Sequence, residues 1–364
     1  MLSTVEPSDI AFVHCAAASE PSARSVHAAA SLASVRSAAG RDFRIIDMHA
    51  HCAIPQAMAL MGLNVSSIGG NQFPLTLAPD PTEVRLAAMD AQHIDMAVLS
   101  INPFWYAADL DLSRQIITLQ NDALANFTAR HAERFVALAS IALQHPELAA
   151  EQLEHAVSRL GLRGALVGGS VEGKELSDPF FHPFWAKAES LDALIFIHPQ
   201  GMSEASSRFG GSGGLGNVIG NPLETTIALS HLIFEGTLDQ FPRLKICAAH
   251  GGGYLPSYAG RFDAGIKTFP QTYTVKLKKE PTAYLRELYY DSLVFTPEGL
   301  RHLVAEVGVD RVLLGTDYPY PWTASAAEHV LATPELTDAD RAAILGETAA
   351  RLLGIKGSSP SSHN

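Results

Sequence analysis

From residue 43 onward, short apolar runs alternate with stretches whose apolar positions recur at helical spacing. The runs cover 44–49, 96–100, 135–141, 165–168, 193–198, 245–250, 288–292 and 312–317, eight in all. Helix-like stretches lie between them near 82–92, 111–131, 147–160, 180–191, 222–240, 254–265, 297–307 and 338–353. Strand and helix in strict alternation imply a parallel sheet, and eight such units suggest an α/β fold closed as a (β/α)8 TIM barrel; an open doubly wound sheet is the alternative. Helix starts are marked locally. Asn221-Pro222-Leu223-Glu224 reads as an N-cap, a proline at N1 and an acid at N3, with simpler versions at Asp80-Pro81, Thr296-Pro297 and Pro146.

Three connections are long: 52–80, 101–110 and 199–221. In a barrel they leave the strand C-termini, where barrel enzymes build their sites. The second carries Phe104, Trp105 and Tyr106, which suit either an apolar wall for a planar substrate or simple loop packing. The third contains Gly211-x-Gly213-x-x-Gly216 and Gly210-x-Ser212-x-Gly214. The first match lacks the preceding strand and the later acid of a dinucleotide site. The second lacks the strand that a nucleophile elbow requires. Both read as one flexible glycine loop.

Composition narrows the partners. The chain has 364 residues, 47% apolar and 18% charged, enough for a sizeable core. A net charge of −12 argues against nucleic acid or anionic membranes, which reward clustered Lys and Arg. The basic group Lys276, Lys278 and Lys279 runs straight into Glu280 and reads as a solvated loop. Cys15, Cys52 and Cys247 are too few and scattered for a disulfide framework, so a reducing cytoplasm is the expected compartment. Strand alternation turns Cys52 away from its neighbour His51, as a small buried apolar residue. No apolar run approaches the ~20 residues of a membrane span. Residues 1–42 are rich in Ala and Ser; Glu6 and Asp9 argue against a transit peptide. A poorly ordered extension, or a start placed too early, is expected there, with 43–357 as the barrel and 358–364 as a disordered tail.

The strand ends carry the candidate chemistry. His49 and His51, two residues apart on a strand, face the same way. His198 ends the fifth run, His250 the sixth and Asp317 the eighth. Any one of these histidines alone would suit a satisfied core position. Converging at one barrel rim, they make a set of imidazole and carboxylate donors suited to a borderline metal such as zinc, with manganese also compatible.

With these motifs the chain resembles the amidohydrolase superfamily, in its aminocarboxymuconate-semialdehyde decarboxylase-like branch. The carrying segments are Asp47-Met48-His49-Ala50-His51, Phe196-Ile197-His198-Pro199, Asn221 through Thr226, Ala249-His250-Gly251-Gly252-Gly253 and Gly315-Thr316-Asp317-Tyr318-Pro319, within a similarity running from about Phe43 to Ile355. The resemblance implies one divalent metal, usually zinc, on His49, His51, His198 and Asp317. It implies His250 as the residue that moves protons at the metal-bound water; in a hydrolytic reaction at the same site, Asp317 or His250 would take the proton. Arg261 would reach a substrate carboxylate across a homodimer interface.

Three departures bear on the substrate and fold. Residues 52–80 contain neither Arg nor Lys, where the named decarboxylase has a second substrate arginine; Arg208 is the positional substitute. His93 stands where relatives have a helix-ending glycine, which a positive φ accommodates. Thr348 stands where relatives have Asn. Tyr320, three residues past Asp317, is a candidate substrate contact. The expected activity is metal-dependent decarboxylation of a small aromatic or unsaturated carboxylic acid, and the alternative is hydrolysis of a lactone, amide or related carbonyl.

Overall fold

The computed structural model describes residues 32–35, 43–68, 73–322 and 325–355. Apart from a short antiparallel hairpin, Ser170–Val171 with Lys174–Glu175, eight strands of the described residues run in chain order: β1 Ile46–His51, β2 Met96–Ser100, β3 Phe135–Ala137, β4 Gly164–Val167, β5 Leu194–Ile197, β6 Lys245–Ala248, β7 Tyr289–Asp291 and β8 Val312–Leu313. All their pairings are parallel, in the orders β1-β2-β3 and β8-β7-β6-β5-β4. The two ladders are not continuous. Single bridges join their edges, Ala139 with Ala165 and Ala50 with Tyr318. Backbone bonds from Met48 N to Leu314 O (2.8 Å) and from Asp317 N to His49 O (2.8 Å) reinforce the second junction. The last strand thus lies against the first, in the TIM-barrel arrangement that the alternation predicts.

The principal helices between strands are α1 Pro79–Ala91, α2 Leu110–Arg130, α3 Pro146–Ser158, α4 His182–Ser190, α5 Asn221–Phe234, α6 Leu255–Thr268 and α7 Pro297–Val307; α8 Thr348–Leu353 follows β8. Their apolar faces cover the strands. Ile116, Leu124 and Phe127 of α2, Leu153 of α3 and Leu229 of α5 join Leu99, Ile195 and Ile246 in the larger core. Burying each such side chain is worth ~1.5–3 kcal/mol. A second core collects alternate strand positions, including Ile46, Val98, Leu166, Phe196 and Leu313, with Leu352 and Leu353 of α8 packed on it. Of the expected N-terminal extension, only 32–35 is described: a helical turn whose Leu32 and Val35 are buried in the larger core. The rest of 1–42 lies outside the described residues, as does the tail 358–364.

Local expectations divide. Thr296 caps α7 by accepting from Gly299 N at 3.0 Å. Asn221 does not cap α5, because the chain is already helical through the π-turn Gly216–Gly220. Its Glu224 instead accepts from Gln200 N at 2.9 Å and Gly201 N at 2.6 Å. Asp80 lies within the first turn of α1, whose N-cap is Ala78. The stretch 338–353 is broken by a π-turn at Ala343–Glu347, where a Cβ on Gly346 would stand 1.8 Å from Arg44 O. His93 adopts φ 58°, as the missing glycine requires.

Candidate metal centre and active site

The barrel brings His49, His51, His198 and Asp317 together, and one ligand atom from each lies within 4.8 Å of all the others. All four are buried. A bulge in β1 makes this possible. Three steps from Asp47 to Ala50 match two steps from Ala97 to Leu99, so Ile46 pairs with Met96 at the bottom and His51 with Ser100 at the top. One extra residue re-aims the strand without ending it.

Each imidazole is held so that it presents a nitrogen to the centre. His49 Nδ1 is 2.7 Å from Asp291 Oδ2 at the end of β7, which fixes the tautomer that leaves Nε2 toward the centre. His51 Nδ1 is 3.4 Å from Ser100 Oγ. Nε2 of His49 and Nε2 of His51 are 3.0 Å apart, and Asp317 Oδ1 is 3.0 Å from the latter and 3.3 Å from the former. Both His198 nitrogens are buried without a hydrogen-bond partner, and Asp317 Oδ1 makes no well-formed hydrogen bond. Buried polar atoms are ordinarily satisfied. Orphaned donors facing one another at this spacing fit a divalent metal on three imidazoles and a carboxylate.

Two further carboxylates support the cluster. Asp291 also accepts from His250 N at 2.9 Å and Gly251 N at 2.8 Å, so one buried group holds both the His49 ring and the backbone turn that carries His250. Asp47 accepts from His49 N at 3.0 Å, Thr316 N at 3.0 Å and Thr316 Oγ1 at 2.6 Å, tying β1 to the segment that carries Asp317. Neither acid was singled out from sequence. The available signal was a carboxylate inside an otherwise apolar, buried strand.

Electrostatics follow from burial against charge. Burial disfavours a charged His49, but Asp317 and Asp291 outweigh it and hold its pKa up at about 10. Burial pushes His51 down to about 4 against its hydrogen bond to Asp317, and it drives His198 well below the ordinary value. Burial would raise Asp317 and Asp291, yet the surrounding imidazoles and backbone donors keep both below the usual carboxylate range. Two neutral imidazoles and an ionised carboxylate are the states that metal ligation needs; His49 must release a proton to join them.

His250 stands beside this cluster. The strand ends at Ala248, and His250 enters a turn with φ 55°, its Nε2 3.7 Å from Asp317 Oδ2. Asp317 itself has φ 59°. Non-glycine residues in the left-handed region are uncommon and concentrate at functional sites. The following Gly251, Gly252 and Gly253 all have positive φ, and a Cβ on Gly253 would meet Pro222 O at 2.0 Å.

The other candidates fall elsewhere. The Tyr320 ring centroid lies 6.0 Å from that of His51, and burial raises its hydroxyl pKa to about 12. Of the two readings of the Phe104-Trp105-Tyr106 loop, the Trp105 side chain follows loop packing. It is fully enclosed, with its indole N–H donating to Ile141 O at 2.8 Å, so it packs the core and offers no open face. Arg208 and Arg261 are exposed and outside the cluster. The glycine run 210–214 is an exposed loop preceded by the turn Ser203–Arg208, as the rejected motif matches require. Cys52 is buried, and burial pushes its thiol up to about 12. Arg85, buried in α1, donates to His51 O at 2.8 Å and stacks over Tyr318 at 4.6 Å, with its Nε and Nη1 unpaired. It ties the strand end carrying His51 to the residue after Asp317.

Strand-end donors converging at the open end of a parallel barrel define a metal-ligating α/β-barrel protein. The amidohydrolase family model matches residues 46–355, and the chain belongs to that family. A 2-amino-3-carboxymuconate-6-semialdehyde decarboxylase from Dictyostelium discoideum is 31% identical over 315 residues, covering 85% of each chain. A gamma-resorcylate decarboxylase from a Rhizobium species is 33% identical over 293 residues, covering 76% of this chain and 88% of its own. A solved dihydroxybenzoic acid decarboxylase from a Polaromonas species, with bound manganese and the inhibitor 2-nitroresorcinol, superposes with a TM-score of 0.75 at 27% identity, covering 87% of this chain and 98% of that one. Among the described residues no helix is long and apolar enough to cross a membrane.

Proposed function

We propose that this protein is a metal-dependent carboxy-lyase that releases CO2 from a small aromatic or unsaturated carboxylic acid. The observation that carries the reading is His250. It is anchored through its backbone on Asp291, faces Asp317 at 3.7 Å across from the four-ligand cluster, and also borders a cavity of about 480 Å³ that none of the four ligands lines. A bound divalent metal supplies positive charge that attracts and orients the acid. His250 gives a proton to the carbon that bears the carboxylate. The C–C bond then breaks, its electron pair returns to the ring or conjugated system, and CO2 departs. Asp317, whose Oδ2 lies 3.7 Å from His250 Nε2, shares in restoring the proton from water. Tyr320 borders the substrate at the rim.

Zinc is our choice of resident metal on the donor set of three imidazoles and a carboxylate. Elemental analysis of protein grown with both metals would read this directly, with manganese in excess overturning it. Arg261 lies on an exposed face of α6, so its carboxylate-binding role requires a second copy of the chain. Mixing inactive Arg261→Ala and His250→Ala proteins should then restore part of the activity through mixed dimers; no recovery, or a monomer by light scattering, removes that role. Arg208 is the less favoured carboxylate partner. Cytoplasmic residence agrees with the free, buried Cys52 and Cys247.

The test is CO2 release from metal-loaded protein over a panel of hydroxy- and amino-substituted aromatic acids and muconate semialdehydes, with lactones followed in parallel. CO2 evolution lost on His250→Ala supports decarboxylation. Acid release from a lactone without CO2 would establish hydrolysis instead.

A further inference from the structure

We propose that Arg85 is a positioning residue of the metal centre: its buried guanidinium clasps the seam between the first and last strands and sets the spacing of His51 and Asp317 across it. Helix α1 buries Thr82, Arg85 and Met89, which recur at helical spacing on one face. A face turned to a barrel ordinarily carries apolar side chains. Arg85 stands in that stripe at 1% exposure, and its Nε and Nη1 have no hydrogen-bond partner. A buried cation with unsatisfied donors is costly, and a well-packed apolar residue would serve stability better. The contacts of the third nitrogen account for its presence.

The two ladders of the barrel do not join at this seam, where Ala50 and Tyr318 share a single bridge. Each side of it carries a ligand. His51 ends β1, Asp317 directly precedes Tyr318, and His51 Nε2 lies 3.0 Å from Asp317 Oδ1. His51 N donates to Tyr318 O at 2.6 Å, and Arg85 Nη2 donates to His51 O at 2.8 Å. The guanidinium carbon lies 4.6 Å from the centroid of the Tyr318 ring, within cation–π range. One planar group therefore holds the backbone of one ligand and the chain neighbour of another. Arg85 Nη2 also donates to Pro74 O at 3.3 Å, next to Phe73, whose ring centroid is 5.5 Å from that of Tyr320. The connection after β1 is fastened by the same clasp. A lysine would keep the charge but lose the planar fork that makes these contacts together.

Cobalt(II) can report on the centre without turnover, because its visible absorption follows ligand geometry. It would be titrated into metal-free native protein, Arg85→Met, Arg85→Lys and Asn121→Ala, with Tm measured on each. Asn121 is the control: it makes a buried tie from α2 to the segment after β3, donating to Ser140 O at 2.9 Å. Arg85→Met should bind cobalt about 10–100-fold more weakly with a shifted visible spectrum, and Arg85→Lys should fall between it and the native protein. Asn121→Ala should lower Tm and leave cobalt affinity and spectrum native. Native affinity and spectrum in Arg85→Met overturn the proposal. An equal cobalt defect in Asn121→Ala also overturns it, by making the effect a general loosening of the barrel. If Arg85→Met does not fold, Arg85→Lys decides, and native cobalt binding there overturns the clasp. The inference rests on the metal centre and not on the carboxy-lyase reading. Absence of CO2 release from native protein would overturn that reading and leave the role of Arg85 standing.

Discussion

The four-ligand cluster and the rim of the cavity that His250 borders are made in opposite ways. His49, His51, His198 and Asp317 are buried at strand ends, braced by Asp47 and Asp291, and their donors face one another without intervening protein groups. Phe295 and Trp322 are exposed residues on connections between elements, and Val218 is exposed in the π-turn Gly216–Gly220. Groups fixed by a barrel ladder cannot drift without breaking backbone hydrogen bonds. Groups on loops can be exchanged with little effect on the fold. The contrast separates donors held by the ladder from side chains carried on connections, so substitutions in the two regions should fail differently.

The largest effect is expected from the cluster itself. Asp317→Ala or His49→Ala should abolish metal retention and turnover together, measured by metal analysis after gel filtration alongside CO2 release. A variant that kept its metal would put that residue outside the ligand set. Next comes His250→Ala, which should keep the metal and lose ~10²–10⁴-fold in kcat, the usual worth of a general acid or base. Parallel loss of metal would move His250 into the cluster and erase the distinction between holding the metal and moving the proton.

The same contrast explains what could be read from the string. The barrel and the four ligands were legible because both depend on period: strand alternation, helix spacing, and a donor residue at the end of an apolar run. The β1 bulge was not legible, because it exists only relative to the register with β2. Asp291 was hidden for a related reason, since its partners are 242 and 41 residues away in sequence. Asn221 carried a good cap signature, but the five residues before it continue the helix and leave the cap no role. Trp105 had the composition of a substrate wall, yet a buried carbonyl at Ile141 claimed its N–H. Side chains on loops take their roles from neighbours that sequence spacing does not identify.

A smaller effect should follow from the bracing groups. Asp291→Asn keeps the size of the side chain but removes the charge that orients His49 and receives His250 N. Metal affinity should fall ~10–100-fold, the usual cost of losing a group that supports a ligand. Competition with a chromogenic chelator would measure it. An unchanged affinity would reduce Asp291 to a folding role.

The smallest and most diagnostic effect concerns pH in the metal-free protein. His49 has its pKa raised to about 10, so its contribution to stability is complete below the ordinary 6.5 and is lost as pH rises toward 10. His51 is lowered to about 4, so its contribution is complete above 6.5 and is lost as pH falls toward 4, with lowered His198 acting in the same direction. Asp47, raised by burial to about 6, gains stability as pH falls and offsets part of the acid loss. Thermal unfolding of chelated protein should therefore show a maximum near neutrality, with Tm falling on both sides. Bound metal should remove the alkaline arm between 6.5 and 10, because a ligating His49 has already released its proton. The rim contributes none of this dependence, so Phe295→Ala and Trp322→Ala should leave the profile unchanged. If they shift it as strongly as Asp291→Asn, the cluster and the rim are coupled, and the division between ladder and loop does not hold.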